Sequence, residues 1–205
     1  MAKLYVIRHG ETELNARRIV QPADTPLSER GAAQARLLGH RLAGEGITRI
    51  AASDLARATM TAEALREATG APIELDPLLQ ERNFGSVRGT PYDELGFDLF
   101  AADYQPPGGE SWTEFEARVD RAFARVEDLA LRSDGALAVV THGLVCRSFA
   151  IRHLGAGEPN GQPRRWGNTS LTVAEGPRPW RIQLLNCTQH LGDAEADDPA
   201  AASGL

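Results

Sequence analysis

Short apolar runs alternate with stretches of helical period along this chain, and that alternation restricts the folds open to it. Four runs read as buried strands: residues 4–7 (LYVI), 47–52 (ITRIAA), 73–75 (IEL) and 137–140 (LAVV). Helices are predicted between them, over about residues 28–43 and 54–69, the second ending at Gly70. Strands that alternate with helices favour an α/β fold whose mostly parallel sheet carries helices on both faces.

A further helix is predicted to begin at SWTE, residues 111–114, which has the form of a capping box. Its apolar residues recur at helical spacing and are expected in the core: Trp112, Phe115, Val119, Val126 and Ala130. The length of 205 residues favours one domain, which we place at residues 1–191. The remaining residues, 192–205, are acidic and small, and are predicted to be a disordered tail.

Charge and cysteine content exclude several classes of function. The net charge of -6 and the pI of 5.4 give no overall field that attracts nucleic acid or an anionic membrane. No run of 18 apolar residues occurs, and the first apolar run is too short for a signal sequence. Cys146 and Cys187 each lie in an apolar stretch, which is typical of reduced thiols. We therefore expect a cytoplasmic protein with no nucleic-acid or membrane partner.

Two of the predicted strands end in the same way, in LYVIRHG at 4–10 and LAVVTHG at 137–143. Parallel strands end at the same edge of a sheet, so His9 and His142 are expected to meet there. Gly10 and Gly143 then permit tight turns and a close approach of the backbone to a bound group.

Two arginines are predicted to join this edge. Arg8 adjoins His9, and Arg57 falls in the first turn of a predicted helix, where the helix dipole favours anions. A single histidine at a strand end is as often a structural residue as a functional one. Two histidines and two arginines together indicate phosphate chemistry.

Six stretches resemble, in content and in order, the motifs of the histidine phosphatase superfamily, which includes the cofactor-dependent phosphoglycerate mutases. They are RHGET..N (8–15), DTPLSERG..QA (24–35), SDLARATMTAE (53–63), ERNFG (81–85), PGGES (107–111) and VVTHG (139–143). The resemblance implies a phosphoglycerate mutase-like three-layer sandwich. One departure is Gln21-Pro22, where many members have Gln-Gly. Proline has no N–H, so the departure removes one possible backbone contact from that loop to substrate.

The resemblance also implies roles for individual residues. His9 would be the nucleophile that accepts the phosphoryl group, and His142 would donate to a phosphoryl oxygen. Glu81 would protonate the leaving alcohol and later activate water. The residues implied to bind the substrate are Arg8, Asn15, Arg57 and Gly143. Guanidinium charges disfavour a charged imidazole, and so keep His9 nucleophilic. The implied reaction is hydrolysis of a small phosphomonoester with no cofactor and no metal.

Three alternatives stay open on the residues. A metal hydrolase could use His9, His142 and a carboxylate, although no HExxH spacing occurs and arginines repel a cation. A cysteine phosphatase is suggested by the CxxxxxR spacing of Cys146 and Arg152, although the intervening RSFAI reads as helix interior. A non-catalytic module could use the same pocket to bind a phosphorylated ligand.

Within the family, a phosphatase is favoured over a phosphoglycerate mutase by the charge of residues 84–110, the lid segment implied by the resemblance. This segment has one cation, Arg88, and five acids: Asp93, Glu94, Asp98, Asp103 and Glu110. Such a surface disfavours a second anionic group on the substrate. Its aromatic residues are expected mainly to pack: Phe84, Tyr92, Phe97, Phe100 and Tyr104. If the protein is a mutase, Arg164 and Arg165 are the candidates for further anion contacts.

Overall fold

The computed structural model describes residues 2–156 and 165–192, and a six-stranded sheet forms the centre of this part. The strands are β1 (Ala2–Arg8), β2 (Ile47–Ala52), β3 (Ile73–Leu75), β4 (Ala136–Thr141), β5 (Leu171–Gly176) and β6 (Arg181–Cys187). Their order across the sheet is β3-β2-β4-β1-β5-β6. The four strands β1 to β4 run parallel, whereas β5 is antiparallel to β1 and β6 is antiparallel to β5. The prediction of a mostly parallel sheet is confirmed.

The helices follow the predicted caps. They are α1 (Glu13–Ala16), α2 (Glu29–Leu42), α3 (Ala56–Thr69), α4 (Trp112–Arg132) and α5 (Gly143–Arg152). The Ser28 hydroxyl accepts from the Gly31 N–H at the start of α2. Gly70 ends α3 in the left-handed conformation, at φ 74°, which glycine adopts without strain. Both hydrogen bonds of the capping box between Ser111 and Glu114 are present at the start of α4.

Three layers result because alternate residues of the central strands face opposite sides of the sheet. Leu4 and Val6 of β1 belong to the apolar cluster that includes residues of α4 and α5. Tyr5 and Ile7 belong to the cluster that includes residues of α2 and α3. Both sides of β1 are therefore buried, and the phosphoglycerate mutase-like sandwich with helices on both faces is confirmed.

The antiparallel hairpin of β5 and β6 was not predicted from the sequence. Both strands alternate in the sequence, as in Leu171, Val173 and Ile182, Leu184, and residues 177–180 between them include two prolines. β5 is buried on both faces and β6 is the edge strand beside it. The alternation is interrupted at Ala174 and Leu185, so that the periodic signal of each strand is short, which explains the omission.

The remaining predictions concern membrane spans, the C-terminal tail and the number of domains. No helix in residues 2–156 and 165–192 is long and apolar enough to cross a membrane. Of the tail predicted at 192–205, only Gly192 is described, and residues 193–205 lie outside the described residues. Arg164, a candidate for anion contacts in a mutase, also lies outside them. The single domain at residues 1–191 stays a prediction.

Replacing Ser111 by alanine is expected to lower the free energy of unfolding by about 0.5–2 kcal/mol, because the Glu114 N–H loses its capping acceptor. Urea unfolding followed by circular dichroism measures this change. Thr113→Ala is the matched control, since Thr113 is an exposed residue in the same turn; its effect should stay within about 0.5 kcal/mol. Equal effects of the two substitutions would contradict the role of the cap.

Candidate active site

The two histidine motifs meet because β1 and β4 pair in parallel, residue for residue. Leu4 lies opposite Leu137, and Arg8 opposite Thr141, so the next residues, His9 and His142, leave the sheet side by side. Their ring centroids are 5.1 Å apart and the rings are inclined by 58°. Both side chains are buried. The expected meeting of the two histidines is confirmed.

The ring of His9 is held in one tautomer by its own turn. Its Nδ1 lies 2.7 Å from the Gly10 carbonyl oxygen, which can only accept, so Nδ1 carries the proton. Nε2 is then the ring nitrogen with a free lone pair. Burial lowers the pKa of His9 well below 6.5, and the charges of Arg57 and Arg8 lower it further. The imidazole is therefore neutral and its Nε2 is available as a nucleophile.

His142 is held by Ser53, which follows the neighbouring strand β2. The His142 Nε2 lies 2.9 Å from the Ser53 hydroxyl oxygen. That oxygen already accepts from the Leu55 N–H at 3.3 Å, which leaves its hydrogen free to be donated to Nε2. We assign the ring proton of His142 to Nδ1 on this basis, and Nδ1 is buried without a partner. The pKa of His142 is lowered well below 6.5 by burial first, and then by the charge of Arg57.

Two buried arginines stand beside the histidines with donors that have no acceptor. Arg8 is 0% exposed and its Nη1 donates to the Trp166 carbonyl, but its Nε and Nη2 have no partner. Arg57 is 2% exposed, donates from Nη1 to the Pro22 carbonyl at 3.0 Å, and has an unpartnered Nε. Buried donors without acceptors are rare and costly, so this group is built to receive an anion.

The Gln21-Pro22 departure is compatible with the contacts of its loop, because those contacts use the Pro22 carbonyl and not an N–H. Besides Arg57, this oxygen accepts from the Thr25 hydroxyl at 3.1 Å, while Gln21 accepts from the Thr12 hydroxyl at 2.8 Å. The loop therefore positions a buried arginine through a carbonyl, for which proline is as suitable as any residue.

Asn15 and Gly143, the other two residues expected to bind substrate, lie in different settings: Asn15 contacts a side chain, and Gly143 begins a helix. Asn168, in the loop before β5, donates from Nδ2 to the His9 carbonyl at 3.2 Å and to the Asn15 side-chain oxygen at 3.4 Å. Asn168 therefore links the side chain of Asn15 to the backbone of His9. Gly143 is the first residue of α5, where helix N–H groups have no acceptor within the helix.

Glu81 reaches the same site from the segment after β3. One carboxylate oxygen accepts from the Arg82 N–H at 2.9 Å and the other from the Leu144 N–H at 3.1 Å. Burial raises the pKa of Glu81, and the two N–H groups together with Arg57 and Arg8 offset part of that rise. A carboxyl group whose pKa is raised in this way is suited to donating a proton.

Arg118 of α4 fixes the backbone that carries Glu81. Its guanidinium donates to the carbonyls of Leu78 at 2.9 Å, Gln80 at 2.7 Å and Glu81 at 3.3 Å. The same group binds both carboxylate oxygens of Glu110 at 2.7 Å. Glu110 is thus engaged by Arg118, whereas the carboxylate of Glu81 binds only backbone N–H groups among the described residues.

A pocket of about 330 Å³, part of it open to solvent, leads to these groups. The residues lining it are Gln21, Ala23, Leu55, Arg57, Glu81, Arg82, Phe84, Arg88 and Tyr92. The tyrosine hydroxyl is neutral, because burial raises the pKa of Tyr92 to about 12.

The charge argument drawn from the lid segment is wrong for the pocket itself. None of the five acids of residues 84–110 lines it: Glu110 binds Arg118, and the other four are exposed. The aromatic residues do mainly pack, as in the contact between Phe97 and Tyr104 at 4.7 Å between ring centroids. The wall of the pocket is basic where the composition of the segment predicts an acidic one.

Comparison with known proteins identifies the family. Residues 4–188 match the model of the histidine phosphatase superfamily (branch 1). The chain belongs to this superfamily. It is 33% identical to "Probable phosphoglycerate mutase GpmB" of Yersinia pestis in an alignment of 214 residues with gaps included. The alignment covers 97% of this chain and 99% of that protein.

Solved structures give the same family. A mycobacterial glucosyl-3-phosphoglycerate phosphatase has a TM-score of 0.78 and 28% identity, over 91% of this chain and 100% of that one. A phosphoserine phosphatase of Entamoeba histolytica has a TM-score of 0.76 and 25% identity, over 93% and 100%. The chain is a phosphatase of the histidine phosphatase superfamily.

Several positions in this histidine phosphatase differ from what the sequence indicated. Gly10 was expected to let the backbone approach a bound group, but a Cβ there would lie 2.6 Å from the Gly31 carbonyl oxygen, so Gly10 serves packing against α2. Ser53 was not assigned a role, although it lies in the matched stretch SDLAR. Asn168 and the Trp166 carbonyl had no sequence signal, because the hairpin after them was not predicted.

The structure also bears on the two alternative mechanisms, the cysteine phosphatase and the metal hydrolase. Cys146 and Arg152 both lie in α5, as the helix-interior reading of RSFAI predicted, and burial raises the pKa of the Cys146 thiol. A cysteine nucleophile needs the opposite shift. Among residues 2–156 and 165–192, no group of three His, Cys, Asp or Glu side chains could hold a metal ion.

His9 and His142 are both expected to carry their proton on Nδ1. In His9 this nitrogen donates to the Gly10 carbonyl, and in His142 the other nitrogen, Nε2, accepts from the Ser53 hydroxyl. Nitrogen-15 NMR of imidazole-labelled protein at neutral pH measures the tautomer of each ring, and the variants His9→Ala and His142→Ala assign the signals. Ser53→Ala should turn His142 into a mixture of tautomers and lower kcat/KM about two- to tenfold. A proton on Nε2 of His142 in the unchanged protein would contradict the assignment.

Proposed function

We propose that this phosphatase hydrolyses a small phosphomonoester through a phosphohistidine formed at Nε2 of His9. One observation carries the proposal: Arg8, Arg57 and His142 have buried side-chain nitrogens without partners close to His9, whose Nε2 has a free lone pair. A phosphoryl group has three equatorial oxygens that accept such donors, and its transfer needs positioning and charge neutralisation above all.

In the first step, Nε2 of His9 attacks phosphorus and the bond from phosphorus to the ester oxygen breaks. Arg8 and Arg57 neutralise the phosphoryl oxygens, and the Nδ1–H of His142 donates to one of them. Glu81 gives its proton to the leaving oxygen, which departs as an alcohol. The lowered pKa of His9 and the raised pKa of Glu81 both favour the protonation states that this step requires.

In the second step, water attacks phosphorus and the phosphorus–nitrogen bond breaks. Glu81, now a carboxylate, takes a proton from that water. The reaction releases inorganic phosphate and restores neutral His9 and protonated Glu81. Arg118 acts as a positioning residue, because its guanidinium donates to the backbone carbonyls of Gln80 and Glu81 and so fixes the backbone from which the Glu81 side chain extends.

The setting of the enzyme is also part of the proposal. The structural relatives are named for small phosphorylated compounds, glucosyl-3-phosphoglycerate and phosphoserine, which supports a small-molecule substrate. Cys146 and Cys187 are free and buried, which supports the cytoplasm as the compartment. The net charge of -6 supports the absence of a nucleic-acid partner.

His9→Ala is expected to abolish the phosphoenzyme. Rapid quenching with a phosphorus-32-labelled substrate should trap an acid-labile, base-stable label in the unchanged protein and in His40→Ala, whose histidine is exposed on α2. Label in the His9 variant would reject the nucleophile.

Activity assays on the unchanged protein distinguish a phosphatase from a mutase and from a non-catalytic binding module. Phosphate release from 3-phosphoglycerate should exceed its conversion to 2-phosphoglycerate, with or without added bisphosphoglycerate. The opposite order would make the protein a mutase. Binding of phosphate esters with neither label nor turnover would make it a non-catalytic module.

Glu81→Gln is expected to slow phosphorylation by an alkyl phosphate by about 100- to 10,000-fold, the range of general acid catalysis. The loss with p-nitrophenyl phosphate should be much smaller, because nitrophenolate leaves without a proton. Pre-steady-state measurement isolates this step from water activation, in which Glu81 also acts. Glu94→Gln, at an exposed acid of the lid segment, is the control. Equal losses on the two esters would leave Glu81 a structural residue.

A further inference from the structure

Thr169 has a backbone conformation that β-branched residues rarely adopt. It is fully buried in the loop before β5, and its φ is 52°, in the left-handed region. The Ser170 N–H donates to the Gly167 carbonyl at 3.0 Å, so Thr169 is the third residue of a four-residue turn. Glycine or asparagine is usual where the third residue of a turn has a positive φ. A residue in this conformation persists only where its surroundings hold it, and such residues cluster at functional sites.

The hydroxyl of Thr169 makes two hydrogen bonds that glycine could not make. It donates to the Asn168 carbonyl at 2.8 Å, and its oxygen lies 3.1 Å from Nε2 of His190. His190 lies in a single helical turn, Gln189–Leu191, that follows β6. The other ring nitrogen of His190, Nδ1, lies 3.3 Å from Nη1 of Arg41 in α2. A chain of hydrogen bonds therefore runs from α2 to the turn before β5.

The direction of these hydrogen bonds follows from Arg41. A guanidinium can only donate, so Nδ1 of His190 accepts and its Nε2 carries the proton of a neutral ring. That proton is donated to the Thr169 oxygen, whose own hydrogen goes to the Asn168 carbonyl. Burial, together with the charge of Arg41, lowers the pKa of His190 to about 4, so the ring is neutral at neutral pH.

The turn that is held in this way contacts the backbone of the nucleophile. The His9 carbonyl accepts from the Thr169 N–H at 3.2 Å and from Nδ2 of Asn168 at 3.2 Å. On the other side of the residue, the His9 N–H donates to the Thr141 carbonyl at 2.9 Å. Both peptide groups that flank His9 are therefore fixed.

The direction of the His9 ring depends on these peptide groups. Its Nδ1 donates to the carbonyl of Gly10, and the Gly10 N–H belongs to the same peptide group as the His9 carbonyl. That N–H donates to the Thr61 hydroxyl at 3.1 Å. Movement of this peptide group would change the direction of Nε2, which must point at phosphorus for the transfer to occur.

We propose that Thr169 is a positioning residue for His9. Its hydroxyl, fixed by His190 and by the Asn168 carbonyl, holds the left-handed turn, and that turn fixes the His9 carbonyl. Glycine would adopt the same turn without strain, so the hydroxyl, and not the turn alone, accounts for a threonine here. The inference rests on the proposed function, because it takes His9 as the nucleophile.

Thr169→Val removes the hydroxyl and keeps the volume and the branching of the side chain. The rate constant of phosphorylation at saturating substrate should fall about 10- to 100-fold, since a displacement of about 1 Å can cost about 100-fold. The substrate concentration that gives half the maximal rate should change by less than about twofold, because the binding groups stay in place. Thr169→Ser, which keeps the hydroxyl, should retain most of the rate. Rapid-quench measurement with p-nitrophenyl phosphate gives both values.

Carbon-13 NMR gives a measure that does not depend on activity. Labelling at the histidine carbonyl carbon gives a signal for each of the 5 histidines, and His9→Ala assigns that of His9. Loss of a hydrogen bond at this carbonyl should move the signal upfield in Thr169→Val.

His190→Phe reaches the same hydrogen bonds from outside the turn. It removes the donor to the Thr169 hydroxyl and leaves Thr169 unchanged, so it tests the proposal even if Thr169→Val does not fold. The His9 carbonyl signal should again move upfield. The phosphorylation rate constant should fall about two- to tenfold, the worth of one hydrogen bond.

Two substitutions serve as matched controls. Thr69→Val removes a hydroxyl that donates to the Leu65 carbonyl at 2.7 Å, at the opposite end of α3 from Arg57. His40→Phe changes an exposed histidine of α2. Both should leave the phosphorylation rate constant and the His9 carbonyl signal as they are in the unchanged protein.

The positioning role requires both measures to move together. A folded Thr169→Val or His190→Phe in which either the rate constant or the His9 carbonyl signal is unchanged would overturn it, as would a Thr169→Ser as slow as Thr169→Val. Absence of hydrolysis and of a phosphoenzyme in the unchanged protein would instead overturn the proposed function, and this inference with it.

Discussion

Parallel pairing of β1 with β4 brings together Arg8, His9 and His142, the groups around which the rest of the site is arranged. The pairing sets Arg8 opposite Thr141, and the histidine after each then leaves the sheet at one edge. A shift of one residue would turn the side chains of one strand to the other face, and with them half of the buried contacts of both apolar layers. The register that buries the core is thus the register that joins His9 to His142. Core packing and catalysis depend on one set of backbone hydrogen bonds.

The site that this pairing creates is costly to the folded protein. Arg8 and Arg57 are almost fully buried with donors left open, and burial is the main cause that lowers the pKa of both guanidinium groups. The pKa of Arg57 falls to about 10, with the charges of Arg8 and Arg88 adding to the effect of burial and the charge of Glu81 opposing it. Two like charges in a dry site oppose each other. The carbonyls of Trp166 and Pro22 offset part of this cost, and they also aim the guanidinium groups. In the proposed reaction a bound phosphoryl group supplies the remaining acceptors, so the arrangement that weakens the free protein would be complementary to that substrate.

Much of this could be predicted from the sequence where a local pattern carries the information. The strands at 47–52 and 73–75, the capping box at Ser111 and the two strand-end histidines needed only periodicity and cap chemistry. Asn168 could not be found, because its role depends on a hairpin whose strands have a weak pattern and on a contact made across 159 residues. Ser53 acts through the pairing of β2 with β4, which places it beside His142. Local sequence does not encode such a neighbour.

Arg82 and Arg88 show the limit of composition as a guide to a binding surface. Arg82 lies just before the lid segment and Arg88 lies within it, and both line the pocket. Two carbonyl groups and an indole ring contact the guanidinium of Arg82 and so hold the lid segment, while its Nη1 is buried without a partner. The acids of the same segment lie on its exposed side or bind Arg118, so they leave the charge of Arg88 unbalanced. A charge count over the segment gives an acidic surface, whereas a count over the pocket wall gives a basic one. The second count is the one a substrate meets, because charges on the solvent side are screened within a Debye length of about 8 Å.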